Sequence, residues 1–276
     1  MRILYGVVGE GMGHATRSRV VMEHLLAQGH ILRVVVSGRA HKFLQDRLGH
    51  HPQITLHSIQ GLHLVYEENA VDRSASLWSN LKHAPESLRQ NLKVRETVLE
   101  NFDAEAVISD FESWAYFFGR SEGLPVVSID NMQIINRCEH PSEIRQQPDF
   151  QLAKLAVKAK LPGAWHYLIT SFFFPRVRKP RTTLIPPILR PEILAARPDP
   201  AQHILVYQTA SNSTRLLPLL QKLPFSFRVY GMGREGVDGN IKCCAFSETG
   251  FVEDLRTARA VIAGGGFSLM GEAVHL

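Results

Sequence analysis

The feature that most constrains the fold of this chain is the succession of a strand, a glycine turn and a helix in residues 1–30. Residues 2–8 form an apolar run rich in β-branched side chains, which is typical of a strand buried on both faces. Three glycines follow within five residues, and residues 15–28 then show helical periodicity up to Gly29. A second apolar strand is predicted at residues 31–36. This order predicts a β-α-β unit whose first turn directs backbone N–H groups towards a ligand.

Two kinds of site use such a glycine turn. A dinucleotide site requires the spacing G-x-G-x-x-G and an acidic residue at the end of the second strand. Here His14 stands where the third glycine would be, and the second strand ends in Ser37, Gly38 and Arg39 without an acid. The other kind of site places a histidine at the start of the helix, where its imidazole can take a proton from a hydroxyl. The spacing therefore favours His14 as a general base over a merely local bond at the helix start.

The alternation of strands and helices continues along the chain. Further strands are predicted at residues 54–59, 104–109, 125–129 and 182–185, with helical segments between most of them. This alternation predicts an α/β fold with a parallel, doubly wound sheet. Ligands of such sheets bind at the carboxyl ends of the strands, so polar residues that directly follow a strand are candidates for a site.

Acidic and amide side chains follow two of these strands. Asp110 and Glu112 come after one strand, and Asp130 and Asn131 come after the next. Asp110 could orient His14 and stabilise its imidazolium, as a buried carboxylate does in hydrolase triads, and Glu112 is the alternative partner. Asp110 could equally cap the helix that follows it. Both roles of Asp110 remain open at the level of the sequence.

A proline-rich segment divides the chain. Five prolines fall within residues 185–200, and the pattern of strands and helices restarts after them. Such a stretch is typical of a linker. We therefore predict a first domain at residues 1–187, a linker at residues 188–200 and a second domain at residues 201–276.

The run G-E-G-M-G-H-A-T-R-S at residues 9–18 resembles the amino-terminal signature of the GT-B glycosyltransferases. It is most similar to the family 28 type, which includes the enzyme that adds N-acetylglucosamine to a lipid-linked cell-wall precursor. The resemblance returns at residues 107–112, 125–131 and 264–276. It implies two Rossmann-like domains that face a cleft, with an acceptor-side first domain. Family members continue beyond the helix in which this sequence stops, so the resemblance implies a truncated member with an incomplete second domain.

The resemblance also implies where a nucleotide sugar would bind. Gly264, Gly265 and Gly266 follow a strand and open a helix, where N–H groups and the helix dipole suit a diphosphate. By position in the family motif, Glu272 would accept hydrogen bonds from the ribose hydroxyls, and residues 209–214 would face the diphosphate. Taken alone, the three glycines would indicate only a tight turn. The expected donor-binding residues are Gly11, Gly13, Ser211, Asn212, Gly265, Gly266, Ser268 and Glu272, and the expected acceptor-side residues are Asp130 and Asn131.

The resemblance implies an inverting transferase that moves a sugar from a nucleoside diphosphate sugar, with a UDP sugar as the expected donor. The acceptor would be a glycan, a lipid or a small molecule. His14 would deprotonate its hydroxyl, and Asp110 and Glu112 are grouped with His14 as catalytic residues. We expect no bound cofactor and no metal ion, because the sequence has neither H-E-x-x-H nor a His/Cys cluster. Two alternatives stay open: a nucleotide-sugar 2-epimerase of the same fold, and a non-catalytic protein that binds nucleotide sugars.

Composition bears on partners and compartment. The formal net charge of +5 suits an anionic ligand or membrane surface, and the absence of a basic run or a nucleic-acid motif argues against nucleic acid as a partner. Cys138, Cys243 and Cys244 lack C-x-x-C spacing, which is typical of reduced thiols in a cytoplasmic protein. Basic and aromatic residues at 151–174 could make peripheral contact with the inner face of a membrane. The sequence favours the alternative, a solvated helix face followed by a buried apolar segment.

Overall fold

The computed structural model describes residues 1–9, 12–59, 65–67, 70–72, 95–208, 216–245 and 247–276. In chain order, the strands are β1 (Arg2–Val7), β2 (Ile31–Ser37), β3 (Ile54–Ile59), β4 (Val65–Glu67), β5 (Ala70–Asp72), β6 (Ala106–Asp110), β7 (Val126–Asp130), β8 (His166–Thr170), β9 (Thr182–Ile185), β10 (His203–Tyr207), β11 (Ser226–Tyr230), β12 (Gly236–Asp238), β13 (Ile241–Cys244) and β14 (Ala260–Ala263). The helices are α1 (Met12–Ala27), α2 (Arg39–Leu48), α3 (Ser113–Ser121), α4 (Ile134–Arg137), α5 (Ser142–Arg145), α6 (Pro148–Lys160), α7 (Pro191–Ala195), α8 (Leu216–Gln221), α9 (Glu248–Arg256) and α10 (Phe267–His275). Residues 95–99 are helical too, and most of the longer helix that the sequence predicts at residues 74–102 lies outside the described residues.

The described residues divide into two compact units. Apart from β4 and β5, the residues up to Ile188 form the first unit, and Leu189–Leu276 together with β4 and β5 form the second. The strands β4 and β5 pair only with each other, in antiparallel register.

The first unit is built on seven parallel strands in the order β3-β2-β1-β6-β7-β8-β9. The side chains of the central strand β1 alternate between two hydrophobic cores, as the pleat requires. Tyr5 and Val7 pack with Met22 of α1 on one face, whereas Leu4 packs with Tyr116 of α3 on the other. Helices therefore cover both faces, and the doubly wound parallel sheet predicted from the sequence is confirmed for this unit.

The second unit is built on a five-stranded sheet in the order β12-β13-β11-β10-β14. Four of these strands are parallel, as predicted, but the edge strand β12 pairs antiparallel with β13. The sequence does not predict β12, because its three residues are all exposed and show no apolar pattern. Buried side chains from β10 and β11, such as Leu205, Val206, Phe227 and Val229, form the two cores of this unit.

The predicted linker at residues 188–200 contains ordered structure. Pro191 is the first residue of α7, a position where the missing N–H of proline has no helical partner to lose. Ile193 of the same helix is fully buried and packs with Leu205 and Tyr230 in the core of the second unit. One of the five prolines thus marks a helix start, and the domain limits at residues 187 and 201 remain a prediction.

Candidate active site

His14 and Asp110 lie together at the carboxyl end of the first sheet. The central strands β1 and β6 run parallel and pair Val7 with Asp110, so both strands end at the same edge. His14 lies in the first turn of α1, the helix that follows β1. Its Nδ1 is 2.7 Å from Oδ1 of Asp110. The imidazole is 20% exposed and the carboxylate is fully buried, so a partly solvent-accessible histidine contacts a buried carboxylate.

Arg17 and Ser18 complete this cluster, and the sequence analysis did not identify them. They follow His14 by three and four residues, which places all three side chains on one face of α1. Oδ1 of Asp110 accepts a hydrogen bond from Nη2 of Arg17. Oδ2 of Asp110 accepts two hydrogen bonds, one of 3.0 Å from Nε of Arg17 and one of 2.8 Å from Oγ of Ser18. Burial by itself would raise the pKa of Asp110, but the charges of Arg17 and His14 outweigh burial and hold that pKa well below its usual range.

The turn after β6 separates the roles of Asp110 and Glu112. Phe111 between them has a φ of 54°, a left-handed conformation that is costly for a bulky residue and that recurs at functional sites. Glu112 is the N-cap of α3, and its two carboxylate oxygens each accept a hydrogen bond of 2.7 Å, from the backbone N–H groups of Trp114 and Ala115. Burial raises the pKa of Glu112 above its ordinary value.

This geometry bears on the helix cap that the sequence left open. The residue that caps α3 is Glu112, and the carboxylate of Asp110 contacts His14 instead. Both carboxylate oxygens of Glu112 are bonded to the helix start, and its place in the catalytic group remains a prediction.

Asp130 and Asn131, the predicted acceptor-side residues, take different places at the end of β7. Asp130 is buried and accepts hydrogen bonds from Ser128 Oγ at 2.6 Å and from the backbone N–H of Gln133 at 2.7 Å. Burial raises its pKa above the ordinary value. Asn131 joins the histidine cluster, since its Oδ1 accepts a hydrogen bond of 3.3 Å from Arg17 Nη1. Their role towards an acceptor remains a prediction.

The first glycine turn has a role in packing two strands together, in addition to its predicted role towards a ligand. A Cβ on Gly9 would lie 2.0 Å from the carbonyl oxygen of Ser37, so only glycine allows the ends of β1 and β2 to approach this closely. The N–H of Gly9 also donates a hydrogen bond of 2.9 Å to Ser37 Oγ. Gly13 lies in the first turn of α1, whereas Gly11 lies outside the described residues.

The second glycine turn connects β14 to α10 in the second unit. Gly265 has a φ of +79°, which favours glycine, and no atom of the described residues lies within 4 Å of where a Cβ would be at Gly264, Gly265 or Gly266. The turn is thus open to an approaching group, and Ser268 follows in the first turn of α10. The donor-loop residues Ser211 and Asn212 lie outside the described residues.

Glu272 is buried in an ion cluster that the sequence analysis did not anticipate. Its Oε1 and Oε2 each accept a hydrogen bond of 2.6 Å, from Nε and Nη2 of Arg190. Nη1 of the same arginine lies 3.2 Å from Oε1 of Glu248 at the start of α9. All three side chains are at most 7% exposed. A carboxylate predicted to meet a ribose is therefore already engaged by a cation from the segment predicted as a linker.

Among the helices of the described residues, none is both long and apolar enough to cross a membrane. Within the same residues, no group of three or more His, Cys, Asp or Glu side chains is arranged to hold a metal ion.

Comparison with solved structures identifies the fold. UGT89C1 of Arabidopsis thaliana has 13% sequence identity and a TM-score of 0.62, over 99% of this chain and 76% of that one. UGT2 of Phytolacca americana has 13% identity and a TM-score of 0.63, over 99% and 77% of the two chains. MurG of Acinetobacter baumannii, a family-28-like protein, has 15% identity and a TM-score of 0.50, over 99% and 76%. These likenesses confirm the GT-B fold.

Comparison at the level of sequence gives two results. A search of curated proteins found no match to this sequence. The family model described as "Glycosyl transferase family 1" matches residues 1–276. The predicted glycosyltransferase activity is thereby confirmed at the level of the enzyme class. This chain belongs to glycosyl transferase family 1.

Proposed function

We propose that this enzyme transfers a sugar from a UDP sugar to the hydroxyl of an acceptor, with inversion at the anomeric carbon. The observation that carries the proposal is the 2.7 Å contact between Nδ1 of His14 and Oδ1 of Asp110 at the carboxyl end of the sheet. The choice of donor draws support from structures of the same fold. Arabidopsis UGT89C1 was solved with UDP-L-rhamnose, and Phytolacca UGT2 with UDP-2fluoro-glucose and pterostilbene.

The proposed reaction is a single displacement. The acceptor oxygen forms a bond to the anomeric carbon while the bond from that carbon to the diphosphate oxygen breaks, and the electron pair leaves with UDP. His14 takes the acceptor proton at Nε2, and Asp110 stabilises the imidazolium through Nδ1. General-base assistance of this kind is worth about 10²- to 10⁴-fold in rate. Attack from the face opposite the leaving group inverts the configuration of the sugar.

The donor is proposed to bind at the glycine turn of the second unit. Backbone N–H groups at Gly265 and Gly266, with the positive end of the α10 dipole, would stabilise the charge that grows on the leaving diphosphate. Glu272 is proposed to contact the ribose hydroxyls. Because Arg190 already occupies both of its oxygens, this role requires that Glu272 share its remaining lone pairs or exchange partners.

The proposal predicts both the nucleotide and the stereochemistry. In calorimetric titrations, UDP should bind at least about tenfold more tightly than ADP. With an α-linked UDP-glucose donor and a phenolic acceptor, NMR of the product should show a β-glycoside, since one displacement inverts the anomeric centre. A product with retained α configuration would rule out the single displacement, and equal binding of UDP and ADP would rule out the assigned donor.

We also propose peripheral contact with an anionic lipid surface through α6. Val157 is the buried residue of this helix, whereas Leu152 and Leu155 are 48% and 62% exposed on one face. Lys154 precedes Leu155 by one residue and Lys158 follows it by three. Exposed leucines beside lysines are the combination that amphipathic surface helices present to anionic lipids. The exposed leucines support the membrane reading that the sequence analysis did not favour.

The lipid contact can be tested with vesicles. The double variant Lys154→Gln, Lys158→Gln should bind phosphatidylserine-containing vesicles about tenfold or more weakly, because each lysine near such a surface contributes about 1 kcal/mol. The matched control is Lys42→Gln, Lys222→Gln, which removes the same charge at exposed positions elsewhere. Equal loss in both double variants, or equal binding to neutral vesicles, would contradict the assignment.

A further inference from the structure

We infer that Arg17 is a positioning residue for the catalytic histidine: it fixes the carboxylate of Asp110 and offsets its charge, so that this carboxylate holds the proton of His14 on Nδ1. The inference rests on the proposed function of His14 as the base.

The first observation is the degree to which Arg17 is committed to this cluster. Its side chain is 3% exposed. Nε and Nη2 donate to the two oxygens of Asp110, and Nη1 donates to Oδ1 of Asn131 at 3.3 Å. Such a fork holds a carboxylate in a fixed plane, which a single-point contact cannot do. Arg17 therefore determines how Asp110 faces the imidazole.

The second observation concerns which ring nitrogen of His14 carries the proton. Nδ1 lies 2.7 Å from Oδ1 of Asp110 and 2.9 Å from Nη2 of Arg17. It can donate to the carboxylate or accept from the guanidinium, but not both. Without a proton on Nδ1, two lone pairs would face each other at 2.7 Å, which is repulsive. With a proton there, the contact is a charge-assisted hydrogen bond, and Nη2 of Arg17 keeps Oδ1 of Asp110 as its acceptor in place of Nδ1. Nε2 then keeps the lone pair that a base requires.

The third observation is the charge balance. Asp110 and Arg17 already neutralise each other, so protonation of His14 gives the cluster of three side chains a net charge of +1. In a triad without an arginine, the aspartate and the imidazolium would instead sum to zero. Among the described residues, the other ionisable groups that face the cluster are Tyr5 from β1 and Asp130 from β7, and burial raises the pKa of each above its ordinary value. Arg17 therefore compensates the negative charge of Asp110 that lies beside the imidazole.

The experiment is an NMR titration of the histidine ring in isotope-labelled protein without substrate. In the parent, the ring nitrogen shifts at high pH should show Nδ1 protonated and Nε2 unprotonated. In Arg17→Gln, the pH midpoint of the His14 signals should rise by about one unit or more, since an uncompensated carboxylate stabilises the imidazolium. Arg19→Gln is the matched control. Arg19 is a buried arginine of the same helix, but its ion-pair partner is Glu23 and not Asp110. The midpoint in that control should stay at the parent value.

Arg17→Lys keeps the charge but not the fork, and it provides a test if Arg17→Gln does not fold. Its midpoint should stay within a few tenths of a unit of the parent, while kcat falls at least about tenfold at unchanged KM. An unchanged or lowered midpoint in Arg17→Gln, or a proton on Nε2 in the parent, would overturn the inference. The ring titration does not depend on turnover. If it behaves as expected but His14 proves dispensable for transfer, the proposed function fails and the assignment of Arg17 to the protonation state stands.

Discussion

Replacement of His14 by alanine should lower the rate of sugar transfer by about 10²-fold or more while UDP-sugar binding stays close to that of the parent. The loss is expected in kcat, because the proton of the acceptor is transferred in the chemical step and not on binding. Initial rates of UDP release in the presence of acceptor measure the loss, and calorimetry with the donor measures the binding.

His24→Ala is the matched control for this variant. It makes the same substitution in the same helix, at an exposed position one turn or more away from the cluster. Its rate should lie within about twofold of the parent. If His14→Ala retains a rate within a few-fold of the parent, His14 is not the base.

Replacement of Glu272 by alanine should lower the free energy of unfolding by about 3–5 kcal/mol, the range for removing one partner of a buried ion pair. The loss arises because Arg190, whose side chain is 7% exposed, keeps its charge and loses the bidentate partner, while Glu248 makes only a single contact of 3.2 Å with it. Urea titrations with an unchanged m-value would measure the difference. The triple variant Arg190→Leu, Glu248→Leu, Glu272→Leu should lose less than Glu272→Ala does, because it removes all three buried charges of the cluster together.

The same residue can be tested for its proposed role towards the ribose. Glu272→Gln keeps the size of the side chain and part of its hydrogen bonding to Arg190. If Glu272 accepts bonds from the ribose, this variant should bind UDP about tenfold more weakly, and a UDP analogue without the two ribose hydroxyls should bind parent and variant alike. Equal losses for both ligands would mean that Glu272 supports the fold of the second unit only.

The sequence predicted the parallel sheets because buried strands and amphipathic helices have local patterns. The strands predicted at residues 31–36 and 125–129 need no partner to be recognised, since an apolar run between turn residues is sufficient. The exposed edge strand β12 carries no such pattern and was missed. The short helix α7 was not predicted, because its first residue is a proline, and a proline is typical both of a linker and of a helix start.

The candidate site was predictable only in part, for a related reason. The positions of His14 and Asp110 after strands are local features, and the rule about carboxyl ends of strands brings them together. The partners Arg17 and Asp110 are 93 residues apart, and Arg190 and Glu272 are 82 residues apart. The residues that neighbour an arginine in the sequence do not indicate which distant carboxylate it pairs with in the fold. A polar side chain three residues after His14 on a helix face was the one available signal for Arg17.

The most direct test of the central claim is the effect of acceptor acidity on the loss caused by His14→Ala. A base is needed only when the attacking oxygen still carries its proton. With a phenol whose ordinary pKa is about 10, the variant should be about 10²-fold slower than the parent at neutral pH. With a nitrophenol that is already ionised at the assay pH, the loss should shrink to a few-fold. An equal loss with both acceptors would show that His14 does not remove the acceptor proton, and it would contradict the proposed mechanism.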